Sequence, residues 1–136
     1  MIHVATLFLL LAAGDGVTYV PAKDVTAAQL VKPPKPILTA EHYLVMTVKR
    51  TGPGQSEVHA KETDVFYVID GAATFITGGA VVDGKATEPD QIRGASIKGG
   101  ESRHLAKGDV ITIPKGTPHW VSAVEGSVTY LVVKVM

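Results

Sequence analysis

Gly108-Asp109-Val110-Ile111-Thr112-Ile113-Pro114-Lys115-Gly116-Thr117-Pro118-His119-Trp120 reads as strand, tight turn, strand. Residues 110–113 form a β run. Residues 114–117 make the turn, in which Gly116 takes the positive φ of a type II turn. Pro118 fixes the backbone just before His119. A histidine placed this way, beside Trp120 and before Val121, is held rather than mobile. Alone, it reads as a core-edge histidine bonded to a backbone carbonyl.

A second stretch changes that reading. Glu57-Val58-His59 is followed, after a turn at residues 60–63, by Asp64-Val65-Phe66-Tyr67-Val68-Ile69-Asp70-Gly71. Side chains alternate faces along a strand, so Glu57 and His59 point the same way, and Asp64, Phe66 and Val68 share a face. A carboxylate on the face that carries Phe and Val is costly to bury alone. A bound cation or a histidine partner removes that cost. Glu57, His59, Asp64 and His119 together offer two imidazoles and two carboxylates, a ligand set for one divalent metal. Iron or manganese suits such oxygen-rich donors best, with zinc or nickel as other fits.

The two stretches resemble the paired motifs of the cupin superfamily. Gly108, Pro114, Gly116 and His119 fall at the spacing of the family's second motif, with Ala123 where Asn is usual. In the first motif His59 and Gly71 match, Glu57 stands where a first His is expected, and Asp64 stands where Glu is expected. The resemblance implies an all-β fold, a single-domain cupin-type β-barrel (a double-sheet jelly roll). It also implies oxygenase, isomerase or lyase chemistry at the metal. The shorter Asp64 reaches less far than Glu, so it binds directly, binds through water, or supports His59. On this reading Phe66 lines the substrate pocket, with His42, Arg93 and Trp120 as its other candidate residues. No general base is assigned.

Composition narrows the rest. The chain has 136 residues, which suits one domain, and 46% of them are hydrophobic, enough for a real core. Lys plus Arg is 13 and Asp plus Glu is 13, so no basic field collects nucleic acid or anionic lipid. There is no cysteine, so any metal must use nitrogen and oxygen ligands.

Residues 4–13 are an uncharged apolar run ending in small residues before Asp15. Residues 1–14 therefore read as a secretory signal peptide, too short to span a bilayer. The protein is then secreted or periplasmic; otherwise it is cytoplasmic. The competing reading is an N-terminal strand or helix packed on the domain. Residues 15–36 read as an N-terminal arm: a short edge strand over 17–20, a short helix over 22–31 with Pro21 in its first turn, and a Pro-rich linker. Residues 37–136 are the barrel domain. Within it, residues 78–100 form a long Gly-rich connection, read equally as a surface insertion or a lid whose Arg93 grips an anionic group. A short hairpin between residues 80–82 and 92–97 fits inside it. The last strand, residues 127–136, is apolar on both faces, which predicts cover from a homodimer partner or from the N-terminal segment.

The function expected from the sequence is a metal-binding cupin acting on a small organic molecule. Two alternatives stand beside it. One is a non-catalytic module that binds a small ligand; the other is a metal-free structural domain in which a carboxylate pairs with His59 or His119.

Overall fold

The computed structural model describes residues 11–12 and 16–136. The expected signal peptide lies outside the described residues, apart from the backbone of Leu11–Ala12. In chain order the elements are β1 (Leu11–Ala12), α1 (Ala22–Ala28), β2 (Pro36–Thr39), β3 (Tyr43–Arg50), β4 (Ser56–His59) and β5 (Thr63–Thr77). There follow β6 (Ala80–Val82), β7 (Lys85–Glu88), β8 (Gln91–Gly94), β9 (Ser96–Lys98), β10 (Glu101–Ala106), β11 (Val110–Ile113) and β12 (His119–Val135).

The two long strands, β5 and β12, pair antiparallel and form the frame. β10 and β11 flank β5 on its other edge, while β3 and β4 pair with opposite ends of β12. β8 joins β4, β7 joins β8, β2 joins β3 and β1 runs parallel to β2. β6 and β9 make a separate two-stranded ribbon. The arrangement is predominantly β, a cupin-like jelly roll with one helix.

The ladder between β5 and β12 slips at a bulge near Gly71, between Glu125 and Val128 and again between Thr129 and Tyr130. Gly71 has φ 75°, and a Cβ there would lie 1.9 Å from the Ser127 carbonyl oxygen. No other residue fits that position. A bulge changes which side chains face inward. Asp64, Phe66 and Val68 are buried before it, and Ala73 and Phe75 after it, so one strand serves the core along its whole length. In that core Phe66 stacks on Tyr130 with ring centroids 4.8 Å apart and lies 5.5 Å from Phe75. Each aromatic pair adds about 0.5–1.5 kcal/mol to the burial of its area.

The expected closed barrel is a half-barrel. The sheet curls, but no ladder joins β2 and β3 to β7 and β8 among the described residues. Pro33, Pro34 and Pro36 line one rim of the resulting trough, and Thr87 and Glu88 line the other. Prolines lack the N–H that a ladder needs, and every residue of β7 is exposed. Neither rim is built to pair with the other.

Other departures are local. The helix stops at Ala28, three residues short of the expected end, because Pro33 and Pro34 draw the chain into extended backbone. Residues 17–20 form no strand, and Val17 and Tyr19 lie exposed. Residues 78–100 are mostly strand: the expected short hairpin is present as β6 paired with β9, its second strand running over Ser96–Lys98 instead of 92–97, and β8 delivers Arg93 opposite Glu57. Among the described residues no helix is long and apolar enough to cross a membrane.

Candidate metal centre

Three strands bring side chains to one end of the trough. β4 contributes Glu57 and His59, β5 contributes Asp64, and β12 contributes His119 at its first residue and Lys134 near its last. The two turns are tied together, since the Gly116 amide donates to the His59 carbonyl oxygen at 2.7 Å. This bond fixes the distance between the strands that carry the histidines. Their rings stand 4.9 Å apart, centroid to centroid.

All four residues singled out as ligands converge. His59 Nε2 is 3.4 Å from Asp64 Oδ2 and 3.9 Å from Glu57 Oε2. His119 Nε2 is 3.6 Å from Asp64 Oδ2 and 3.7 Å from Glu57 Oε2. Two ligands each about 2.1 Å from one ion lie about 3–3.5 Å apart, so these gaps need little closing. His59, Asp64 and His119 are buried and Glu57 is half-buried.

The histidines face inward by different means. His119 Nδ1 donates to the Thr117 carbonyl oxygen at 3.0 Å, which leaves Nε2 as the lone-pair nitrogen. That nitrogen is buried and has no hydrogen-bond partner. His59 Nδ1 donates to Gln91 Oε1, its register partner on β8, and Gln91 in turn donates to Glu62 at 3.3 Å. Buried polar atoms without partners are costly, and a cation between the carboxylates would satisfy His119 Nε2. The site is thus a buried His/Glu cluster capable of chelating a divalent metal. Two ligand groups share His59: Glu57, His59 and His119, and His59, Glu62 and Asp64.

Sequence reasoning missed Lys134. Its ammonium donates to Asp64 Oδ1 at 2.8 Å, to Asp64 Oδ2 at 3.0 Å and to His59 Nε2 at 3.0 Å, and lies 3.3 Å from Glu62 Oε2. The available signal was a lysine on the face of Val128, Tyr130 and Val132, which is otherwise core. Lys134 is the cross-strand partner of Asp64.

These neighbours set the protonation of the cluster. Burial disfavours the charged His59 and the Lys134 ammonium opposes it too, yet the Asp64 carboxylate and Gln91 outweigh both, so its pKa is raised. Burial also favours protonated Asp64, but His59 and Lys134 hold its carboxyl below the ordinary value. His119 goes the other way. Burial and the nearby His59 lower its pKa, and the Thr117 carbonyl, Asp64 and Glu57 recover only part.

The trough holds about 570 Å³, room for a small organic molecule. Phe66 and Arg93 line it, and Arg93 lies 3.4 Å from Glu57 Oε1. Arg50 lines it too and donates to the Tyr130 hydroxyl at 2.9 Å. Trp120 sits behind the cluster, where its indole N–H donates to the Gly54 carbonyl oxygen at 2.8 Å, and it does not line the trough. His42 is not in the trough either. It precedes the first residue of β3, with its side chain 76% exposed and 3.6 Å from Glu41. Alternation placed it on the face of Leu44 and Met46, but the strand ends before it can be held there.

Comparison with known proteins agrees with this architecture. The DMSP lyase of Ruegeria pomeroyi is 17% identical with a TM-score of 0.51, over 73% of this chain and 40% of the lyase. The chain therefore spans well under two thirds of that enzyme. A protein of Neisseria meningitidis is 14% identical with a TM-score of 0.57, over 84% of this chain and 94% of that one. A cupin superfamily protein of Desulfitobacterium hafniense is 12% identical with a TM-score of 0.54, over 75% of this chain and 74% of its own. At these identities the likeness is one of fold. No curated protein matches the sequence. The family pattern described as Cupin matches residues 24–135, nearly the whole described chain, and the chain belongs to the cupin family.

Proposed function

We propose that this cupin holds one divalent metal through Glu57, His59, Asp64 and His119 and acts on a small organic molecule in the trough. The observation that carries the reading is the buried His119 Nε2, with no partner and aimed between two carboxylates. Iron or manganese fits a set of two imidazoles and two carboxylates, and zinc and nickel are the other fits. The metal would supply a Lewis acid or a meeting point for oxygen and substrate, in oxygenase, isomerase or lyase chemistry. Phe66 would bound the substrate and Arg93 would face an anionic group on it.

The test is metal analysis of protein purified without chelator, followed by turnover assays on a panel of small acids, phenols and sugars. About one metal per chain with turnover of a panel member is the expected result. Metal without turnover makes the protein a ligand-binding module. No metal after incubation with iron, manganese, zinc and nickel leaves the structural reading.

Two further proposals concern the whole chain. Residues 1–14 are removed on export and the mature protein begins at Asp15, as a secreted or periplasmic protein. Leu11–Ala12 pairs with Leu38 and Thr39, a ladder that such cleavage removes, so N-terminal sequencing of exported protein decides between the two arrangements. The outer face of the sheet exposes Tyr43, Tyr67, Val110 and Val135, which a homodimer would cover. Light scattering at micromolar concentration checks it.

A further inference from the structure

We propose that Lys134 is the site's own cation: its ammonium holds Asp64 and His59 together in the metal-free protein and must leave before an ion binds. This rests on the metal-centre reading above. Three distances carry it. The ammonium is 2.8 Å from Asp64 Oδ1, 3.0 Å from Asp64 Oδ2 and 3.0 Å from His59 Nε2. It uses the carboxylate and the imidazole lone pair that a metal would need. A divalent ion and an ammonium cannot share those atoms, because like charges at that distance repel strongly in a buried site.

Lys134 also has somewhere to go. Its side chain is 16% exposed at the edge of the trough, and Glu62 Oε2, which clusters with His59 and Asp64 but not with Glu57 and His119, lies 3.3 Å from the ammonium. Swinging onto Glu62 keeps the lysine paired while it frees His59 Nε2 and Asp64. The flexible four-carbon stem of lysine allows that motion. Among the fully buried polar atoms of the cluster, His119 Nε2 is the one without a hydrogen-bond partner, and metal affinity is reduced by the fraction of molecules in which Lys134 occupies the cluster.

The experiment is calorimetric titration of chelator-treated full chain with manganese(II) and zinc(II), in wild type and Lys134→Met, with thermal melts of each form. The expected result is at least about tenfold tighter binding in Lys134→Met, as for removal of a competing state populated about ten to one. The melts should converge: without metal the variant melts below wild type, and with saturating metal the two melt close together, because the affinity gain offsets the stability lost from the metal-free form. Lys134→Arg keeps the charge and should not tighten binding. Equal affinity in wild type and Lys134→Met overturns the role of Lys134 and leaves the metal centre standing. Absence of binding in both proteins removes the metal centre and this inference together. Should Lys134→Met fail to fold without metal, Lys134→Gln, which retains a donor for Asp64, must show the same tightening; failure to do so overturns the proposal.

Discussion

The turn before β5 and the turn before β12 each deliver one histidine to the cluster, and the two residues end in different company. His119 is oriented by a carbonyl two residues away on its own turn. His59 is oriented by Gln91, 32 residues along the chain, and its inner nitrogen is engaged by Lys134 and Asp64. His119 is held neutral by burial, whereas His59 is held toward the charged form by Asp64 against its burial. One turn thus presents a finished lone pair. The other presents a nitrogen that must first lose a proton or an ammonium neighbour.

Removing either ring is the most severe test of whether both belong to one centre. His59→Ala and His119→Ala should each weaken metal binding by more than about 100-fold, beyond the range typical of supporting partners. His104→Ala should change nothing, because that ring is exposed on β10 and pairs with Glu125 at 3.0 Å. Calorimetry on the three variants reads the result. Retained binding in His59→Ala would reduce the centre to His119 and the carboxylates and break the comparison.

A smaller effect separates the two means of orientation. Gln91→Ala leaves His59 Nδ1 without its acceptor and should weaken metal binding by about 10–100-fold. Thr117→Ala should have no such effect, since His119 is bonded to the backbone carbonyl, which the substitution keeps. If Thr117→Ala weakens binding as much as Gln91→Ala, the side-chain and backbone supports are not distinct.

The same contrast explains what the sequence made legible. The turn at residues 114–117 carries its own information: Gly116 has φ 78°, Pro118 follows, and His119 bonds back to Thr117. All of that is local, so it can be read without knowing the fold. Asp64 on an apolar face was legible for a similar reason, as a local contradiction that demanded a partner. The partners themselves were not. Lys134 opposite Asp64, Gln91 opposite His59 and Arg93 opposite Glu57 are cross-strand pairs between segments distant in sequence. Which residues face each other depends on register, and register here depends on a bulge at Gly71 and on β8 emerging from what looked like a loop. The open seam was hidden in the same way. Prolines at 33, 34 and 36 were visible as a linker, but that they form a rim follows only once β2 is placed beside β3.

The smallest expected effect is a pair of opposed pH slopes in the metal-free protein. His59 has a raised pKa, so the folded state binds its proton more tightly than the unfolded chain. Its contribution to stability is complete below the unfolded value of about 6.5 and is lost as pH rises through the folded value. His119 has a lowered pKa, so its contribution is present above about 6.5 and is lost as pH falls through its folded value. In wild type the two trends meet near neutrality, His119 acting below it and His59 above. His119→Gln leaves the His59 trend, so stability should fall as pH rises above about 6.5. His59→Gln leaves the His119 trend, so stability should fall as pH drops below that point, more gently than in wild type if the His59 charge helps lower the His119 pKa. Asp64, whose pKa is depressed, adds a separate loss only in acid, as pH falls below about 3.9. Urea denaturation of the three proteins in the presence of chelator, from pH 5 to about 9, reads the slopes away from that acid limb. Slopes of the same sign in both variants would mean that the two histidines share one environment, and the distinction between a finished lone pair and an occupied one would be lost.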